Sequence, residues 1–152
     1  MSDCINYEVK VYANGAKYWH LNNELHREDG PAAEYADGEK RWYLNGKIHR
    51  EDGPAVEYAD GSELWYLNGE KHRENGPAIE FANGSEHWYL HGKKHREDGP
   101  ASEYADGCNA WYLNGEQLTE SEHKVEVKKR QVTCNGEIVT IKGKKYKLTE
   151  VK

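Results

Sequence analysis

A seven-residue phrase holds most of the side chains in this sequence that could do chemistry. The phrase His-Arg-Glu-Asp-Gly-Pro-Ala occurs four times, with one exchange of Asp for Asn. Imidazole and carboxylate groups can bind metals or move protons, and arginine can bind phosphate or carboxylate through two parallel hydrogen bonds. The candidate binding residues of the phrase are its four histidine–arginine pairs, His26-Arg27, His49-Arg50, His72-Arg73 and His95-Arg96.

The phrase is part of a 23-residue repeat. All five tryptophans keep this period, at Trp19, Trp42, Trp65, Trp88 and Trp111. Within the unit 54–76, residues alternate as in strands, and the dipeptides Asp60-Gly61 and Asn68-Gly69 are typical of tight turns. Each unit is therefore predicted to be a two-stranded hairpin. Five hairpins side by side predict an all-β fold, an elongated antiparallel sheet of stacked β-hairpin repeats.

The spacing of the units argues against a metal site and against catalysis. Two strands per unit, each about 4.8 Å wide, separate equivalent histidines by roughly 9–10 Å, whereas zinc ligands lie about 2 Å from the ion. A catalytic site also needs unequal environments, which near-identical copies do not offer. Asp and Asn alternate at the turn positions, so these carboxylates are turn formers first. We expect no enzyme activity, no catalytic residues, no metal and no cofactor.

The motif W-Y-L-N-G-K-x-H, with the Asp-Gly that follows it and the 23-residue period, resembles the MORN repeat. It is more similar to the H-R-x-D-G-P-A variant found in proteins of bacteriophages and large DNA viruses. The resemblance covers about residues 11–117. It implies an elongated, curved sheet of hairpins that serves binding, dimerisation or scaffolding. The phrase departs from the family's usual H-G-x-G, because bulky and charged residues occupy positions where MORN repeats often have glycine.

Both ends of the repeat array are predicted to carry caps that protect open sheet edges. Residues 5–12 would form an N-terminal strand, so that residues 1–117 make one repeat domain. Residues 118–152 would be a basic capping segment, a small C-terminal cap of a short helix plus a β-hairpin. Thr119 and Glu122 fit a capping box for a helix over about 120–129, although Val125 and Val127 also allow a strand. A hairpin around Asn135-Gly136 and a third strand after Gly143 complete the prediction.

The charge distribution limits the partners. Residues 1–123 have a net charge of −12 and residues 124–152 one of +6. The acidic body disfavours membranes and direct nucleic-acid binding, although it could imitate nucleic acid. The basic tail could dock on another copy's acidic body and form a homo-oligomer. No signal peptide and no apolar span are visible, so we expect a cytoplasmic protein, in the host cytoplasm if it is viral.

Two rows of equivalent residues, the arginines of the phrase and the residues before tryptophan, each allow two interpretations. The arginines could pair with Glu28, Glu51, Glu74 and Glu97 as an ion ladder, or they could receive an anionic ligand. The residue before each tryptophan varies freely and is predicted to be either a solvent-facing position or a contact strip. This row is Tyr18, Arg41, Leu64, His87 and Ala110.

The sequence as a whole favours a binding protein. The first hypothesis is a viral, in particular phage, protein that binds and inhibits a host protein such as a defence factor. The alternatives are sequestration of an anionic small molecule or nucleotide by the histidine–arginine row, and mimicry of nucleic acid.

Overall fold

The computed structural model describes residues 6–134, 138–141 and 144–147, with side chains up to residue 130. In chain order the elements are β1 (Glu8–Val11), β2 (Lys17–Leu21), β3 (Glu24–Leu25), β4 (Ala33–Glu34), β5 (Lys40–Arg41), β6 (Tyr43–Leu44), β7 (Lys47–Ile48), β8 (Val56–Glu57), β9 (Glu63–Leu64), β10 (Tyr66–Leu67), β11 (Glu70–Lys71), β12 (Ile79–Glu80), β13 (Glu86–His87), β14 (Tyr89–Leu90), β15 (Lys93–Lys94), β16 (Ser102–Glu103), β17 (Asn109–Leu113), β18 (Glu116–Leu118), α1 (Glu120–Cys134), β19 (Ile138–Ile141) and β20 (Lys144–Lys147).

One antiparallel sheet of 12 strands runs through the repeat array. It begins at β1 and ends at β18, and each unit adds one strand after the proline and one before the tryptophan. Asp-Gly or Asn-Gly turns join the two strands of each unit. Asp60, for example, accepts a hydrogen bond from the Ser62 N–H at 2.8 Å, while Gly61 has a φ of 89°. The predicted all-β fold, a long antiparallel sheet of hairpins, is confirmed.

The predicted unit is too simple in one respect. In the three inner units the strand that contains tryptophan is divided, and its second half forms a separate hairpin, as in β10–β11. The Trp65 N–H donates to the Ala78 carbonyl of the long sheet, whereas the Trp65 carbonyl accepts from His72. Tryptophan is thus the point where the chain leaves the long sheet. These outer hairpins bond to each other as well, since the Gly69 N–H donates to the Ile48 carbonyl at 2.8 Å.

The core lies between the long sheet and the row of outer hairpins. Its centre is Val56, Leu64 and Ile79, and Ile48, Tyr66 and Tyr89 from the outer hairpins pack against it. The alanine after each proline is fully buried, at Ala32, Ala55, Ala78 and Ala101. Stacking therefore buries the apolar side of every unit against its neighbours, because a single hairpin could not do so alone.

The two caps differ in detail from their predictions. Strand β1 covers Glu8–Val11 of the predicted 5–12, and Ile5 lies outside the described residues. Helix α1 runs to Cys134, five residues beyond the predicted end, since no glycine or proline interrupts the sequence before Asn135. The alternative strand at 125–127 is therefore wrong, and so is a hairpin strand at 131–134, whereas Asn135-Gly136 lie outside the described residues. The hairpin that does form pairs β19 with β20.

Candidate interaction surface

Each arginine of the histidine–arginine pairs lies over the tryptophan of its own unit. The distances from the guanidinium carbon to the tryptophan ring centre are 4.3, 4.2, 3.8 and 3.9 Å for Arg27, Arg50, Arg73 and Arg96. In each case one terminal nitrogen, Nη1, donates to the carbonyl of the proline four residues later, at 3.0–3.3 Å. The arginine thus joins the turn of its phrase to the tryptophan of the preceding strand.

Carboxylates complete this arginine clamp, but they are not the ones predicted. Arg50 donates to Asp52, two residues later, and to Glu57, seven residues later, both at 3.0 Å. The same acidic positions serve Arg27 and Arg96, whereas the third unit has Asn75 in place of the aspartate. The hydrogen bond from Arg27 holds the pKa of the Asp29 carboxyl below its ordinary value.

The glycine of the phrase makes room for the clamp. A Cβ at Gly53 would lie 2.9 Å from the guanidinium carbon of Arg50, and the other three copies have the same close approach. Any larger residue would push the guanidinium away from the ring. The Asp-Gly pair predicted that this glycine forms a turn, whereas the structure shows that the close approach of the arginine side chain requires it.

The histidines join each unit to the next. The Nδ1 atoms of His26, His49, His72 and His95 accept a hydrogen bond from the backbone N–H of the residue 19 positions later, at 3.0–3.1 Å. Those donors lie in the hairpin turns of the following units, where φ is between 48° and 53°. An imidazole whose Nδ1 accepts carries its proton on Nε2. Nε2 lies 3.7–4.0 Å from the glutamate of the phrase, beyond hydrogen-bond distance, so Glu28, Glu51, Glu74 and Glu97 lie beside histidine rather than beside arginine.

Three open clefts lie between successive copies of the phrase. Their volumes are about 740, 590 and 660 Å³ in chain order. In the middle cleft Arg50, Glu51 and Asp52 form one wall, His72 and Glu74 form the other, and the half-buried Trp65 lies between them. The equivalent residues line the other two clefts. The four arginines and three of the four histidines, His49, His72 and His95, therefore line one repeated surface, whereas His26 lies outside these clefts.

The row before tryptophan lies elsewhere and does not face solvent. Leu64 and His87 are buried, and Tyr18, Arg41 and Ala110 are partly buried. These side chains stand between the aromatic residues that end the first strands of the units. His87, for example, makes edge contacts with Phe81 and Tyr104 at ring distances of 5.6 and 5.1 Å. The interpretation as a solvent-facing row is therefore wrong, because the position points into the space between the sheet and the outer hairpins.

In this row, His87 is the residue whose side chain ordinarily titrates near physiological pH and whose pKa is shifted. Burial lowers its pKa from the usual 6.5, and the charges of Lys94 and Lys71 lower it further. Its Nδ1 atom and the Ser102 hydroxyl, directly across the strand pair, are buried without hydrogen-bond partners. Arg41 instead bonds to Glu39 and lies over Tyr35, with its guanidinium carbon 5.1 Å from the ring centre.

In the described part of the chain, no three His, Cys, Asp or Glu side chains are close enough together to hold a metal ion. The described helix is neither long nor apolar enough to cross a membrane.

No protein family model matches the chain, and no curated protein matches it in sequence. The architecture is that of a repeat protein, with short antiparallel hairpins in one long sheet.

Proposed function

We propose that the protein is a non-enzymatic interaction module of MORN-like units that binds another protein along its row of clefts. The observation that carries this proposal is the repetition of one cleft three times on the same side of the array. A row of equivalent recesses suits an extended partner segment that places successive side chains into them, as repeat proteins commonly bind. The narrower form of the proposal is a phage protein that inhibits a host defence protein.

The chemistry of the clefts favours a partner with basic side chains. Glu51 and Asp52 are 85% and 86% exposed, and the equivalent carboxylates border the other clefts. Trp65, whose ring already lies under the Arg73 guanidinium, adds apolar surface between the walls against which the alkyl part of a long basic side chain can pack. Neighbouring clefts lie roughly 9–10 Å apart, the length of about three extended residues. A partner segment with Lys or Arg at every third position would fit this spacing.

Sequestration of an anion by the histidine–arginine row has less support. Each guanidinium already stacks on tryptophan and donates to a proline carbonyl and a carboxylate, and each histidine already accepts a backbone hydrogen bond. A phosphate would have to displace these contacts and approach the exposed carboxylates beside them. Mimicry of nucleic acid uses the same carboxylates as protein binding does, so the two proposals differ only in the partner.

The test is capture of partners from bacterial lysate with the tagged full chain and two charge-reversed variants. The first variant changes the exposed glutamates of three cleft walls, E28K/E51K/E74K. The matched control is E24K/E70K/E116K. It makes the same charge change at the exposed residue directly after the turn that follows each tryptophan strand, where two units already have lysine at Lys47 and Lys93. Proteins are identified by mass spectrometry, and the denatured eluate is analysed for nucleotides.

We expect a stoichiometric protein to bind the wild type and the control and to be lost from the cleft variant. A protein that remains bound to the cleft variant would place the interface elsewhere and refute the cleft proposal. A nucleotide without any protein would instead favour the sequestration alternative, and a captured DNA-binding enzyme would favour mimicry.

A further inference from the structure

Strand β1 forms one end of the long sheet, and its outer edge is open. Among the described residues β1 pairs with β2 only, with Val9 opposite Trp19 and Lys10 opposite Tyr18. The other end of the sheet lies beside helix α1, which contacts β17 and β18. The two ends therefore differ, because a helix lies beside the β18 end whereas no described element lies against the outer edge of β1.

The apolar side chains of this end are also exposed. Val9 and Val11 are 45% and 65% exposed, and the adjacent Tyr12 is 53% exposed. Natural proteins usually protect an edge strand with charges, and Glu8 and Lys10 alternate here with the two valines. Glu8 and Lys10 would repel most strands that approached this edge. They can instead form ion pairs with an antiparallel strand that carries a lysine opposite Glu8 and a glutamate opposite Lys10.

The hydrogen-bond pattern shows which residues can bond outward. The Tyr12 N–H donates to the Ala16 carbonyl, so the residue pairs that exchange bonds with β2 include Lys10 and Glu8. Consistent with this, Trp19, the partner of Val9, donates in the opposite direction to Ala32. The N–H and C=O groups of Val9 and Val11 consequently point to the open edge.

We propose that β1 pairs with β1 of a second copy, antiparallel about a two-fold axis at Val9, and so joins two sheets into one. In this register Val9 exchanges two hydrogen bonds with its counterpart, and Tyr7 does so with Val11 of the other copy. Glu8 then lies opposite Lys10 twice, in the closer type of strand pair. The position of Tyr7 next to β1 is held by the stacking of its ring on His26, with a ring distance of 6.2 Å.

The neighbouring registers are excluded by charge. A shift that sets Val9 opposite Val11 puts Lys10 opposite Lys10, and the reverse shift puts Glu8 opposite Glu8. Like charges in directly opposite positions destabilise a strand pair. The alternation of Glu8 and Lys10 around Val9 therefore selects one register, and the two-fold symmetry makes both ion pairs identical.

The test is sedimentation velocity of the full chain over a range of concentrations, with the variants Glu8→Lys, Lys10→Glu and the double exchange E8K/K10E. We expect the wild type to dimerise and each single variant to weaken the dimer about tenfold or more, since both cross-strand pairs become repulsive. The double exchange restores the dimer because it re-forms both pairs with reversed signs. A mixture of the two single variants forms a heterodimer, in which every pair is again attractive.

Two further variants separate edge pairing from a loss of folding. Val9→Lys puts two like charges together at the two-fold axis and abolishes the dimer. Val125→Lys adds the same charge at a valine of α1 that is 54% exposed, far from the proposed contact, and leaves the dimer intact. Far-ultraviolet circular dichroism checks that each variant is folded. A wild type that stays monomeric overturns the proposal, and so does a dimer that survives both single charge reversals. The latter result would point to the basic tail docking on an acidic body.

Discussion

The arginine clamp predicts a specific loss of stability on truncation of Arg50. Its side chain is 24% exposed and lies 4.2 Å from the centre of the Trp42 ring. The cation–π contact contributes about 1 kcal/mol, the charged hydrogen bond to the Pro54 carbonyl about 1–2 kcal/mol, and the partly exposed ion pairs less than about 1 kcal/mol together. We therefore expect Arg50→Ala to lower the free energy of unfolding by about 3 kcal/mol.

Urea unfolding followed by tryptophan fluorescence measures this change, with Trp42 as a reporter beside the cation. Arg50→Lys keeps the charge but cannot stack and bond simultaneously, so we expect it to lose more than half of the same free energy. Gly53→Ala should also destabilise, because its Cβ would displace the guanidinium. In the double variant R50A/G53A the second change should then cost almost nothing, as for two residues that act through one contact.

The repeat supplies an internal control for the carboxylate. In the third unit Asn75 occupies the position that corresponds to Asp52, so Arg73 forms its clamp without an aspartate. We expect Asp52→Asn to have a small effect and Asn75→Asp a small effect of opposite sign. A loss of less than about 1 kcal/mol for Arg50→Ala, or an Asp52→Asn effect as large as that of Arg50→Ala, would refute the reasoning that the clamp acts through tryptophan and proline.

Three further predictions follow from the histidines and from the cap. His72→Ala leaves the partly buried N–H of His91 without its acceptor and should cost about 1 kcal/mol, with faster hydrogen exchange at that amide. Because the pKa of His87 is lowered in the folded protein, the unfolded chain binds the proton more readily. The stabilisation from neutral His87 is therefore complete above about pH 6.5 and is lost as the pH falls. His87→Leu, which places in this unit the residue found at Leu64, should reduce the loss of stability between about pH 7 and 5, measured by urea unfolding at each pH. Thr119→Ala removes the capping box of α1 and should lower the free energy of unfolding by about 1 kcal/mol, measured by thermal unfolding. An unchanged melting temperature would show that α1 does not depend on this cap.

Much of the local structure follows from the sequence because it depends on residues close together in the chain. The 23-residue period, the Asp-Gly and Asn-Gly turns and the alternation between them predict hairpins, and the sheet of hairpins is observed. The capping box at Thr119 and Glu122 is likewise a contact over three residues, and it begins the helix as predicted. The helix end was missed, since Asn135-Gly136 is compatible with a hairpin turn as well as with the end of a helix.

The roles of the repeated side chains depend on contacts between strands and units, and only the tertiary structure decided them. The sequence identified arginine as a donor with carboxylates nearby, but the division of the tryptophan strand selects which carboxylate and which ring it meets. The histidine acceptor lies 19 residues away, in the next unit, and becomes a neighbour only when the units stack. The row that includes Leu64 and His87 varies in sequence, yet it is buried, because the outer hairpins cover it. Sequence thus determined the unit and its period, whereas stacking determined which atoms of adjacent units touch.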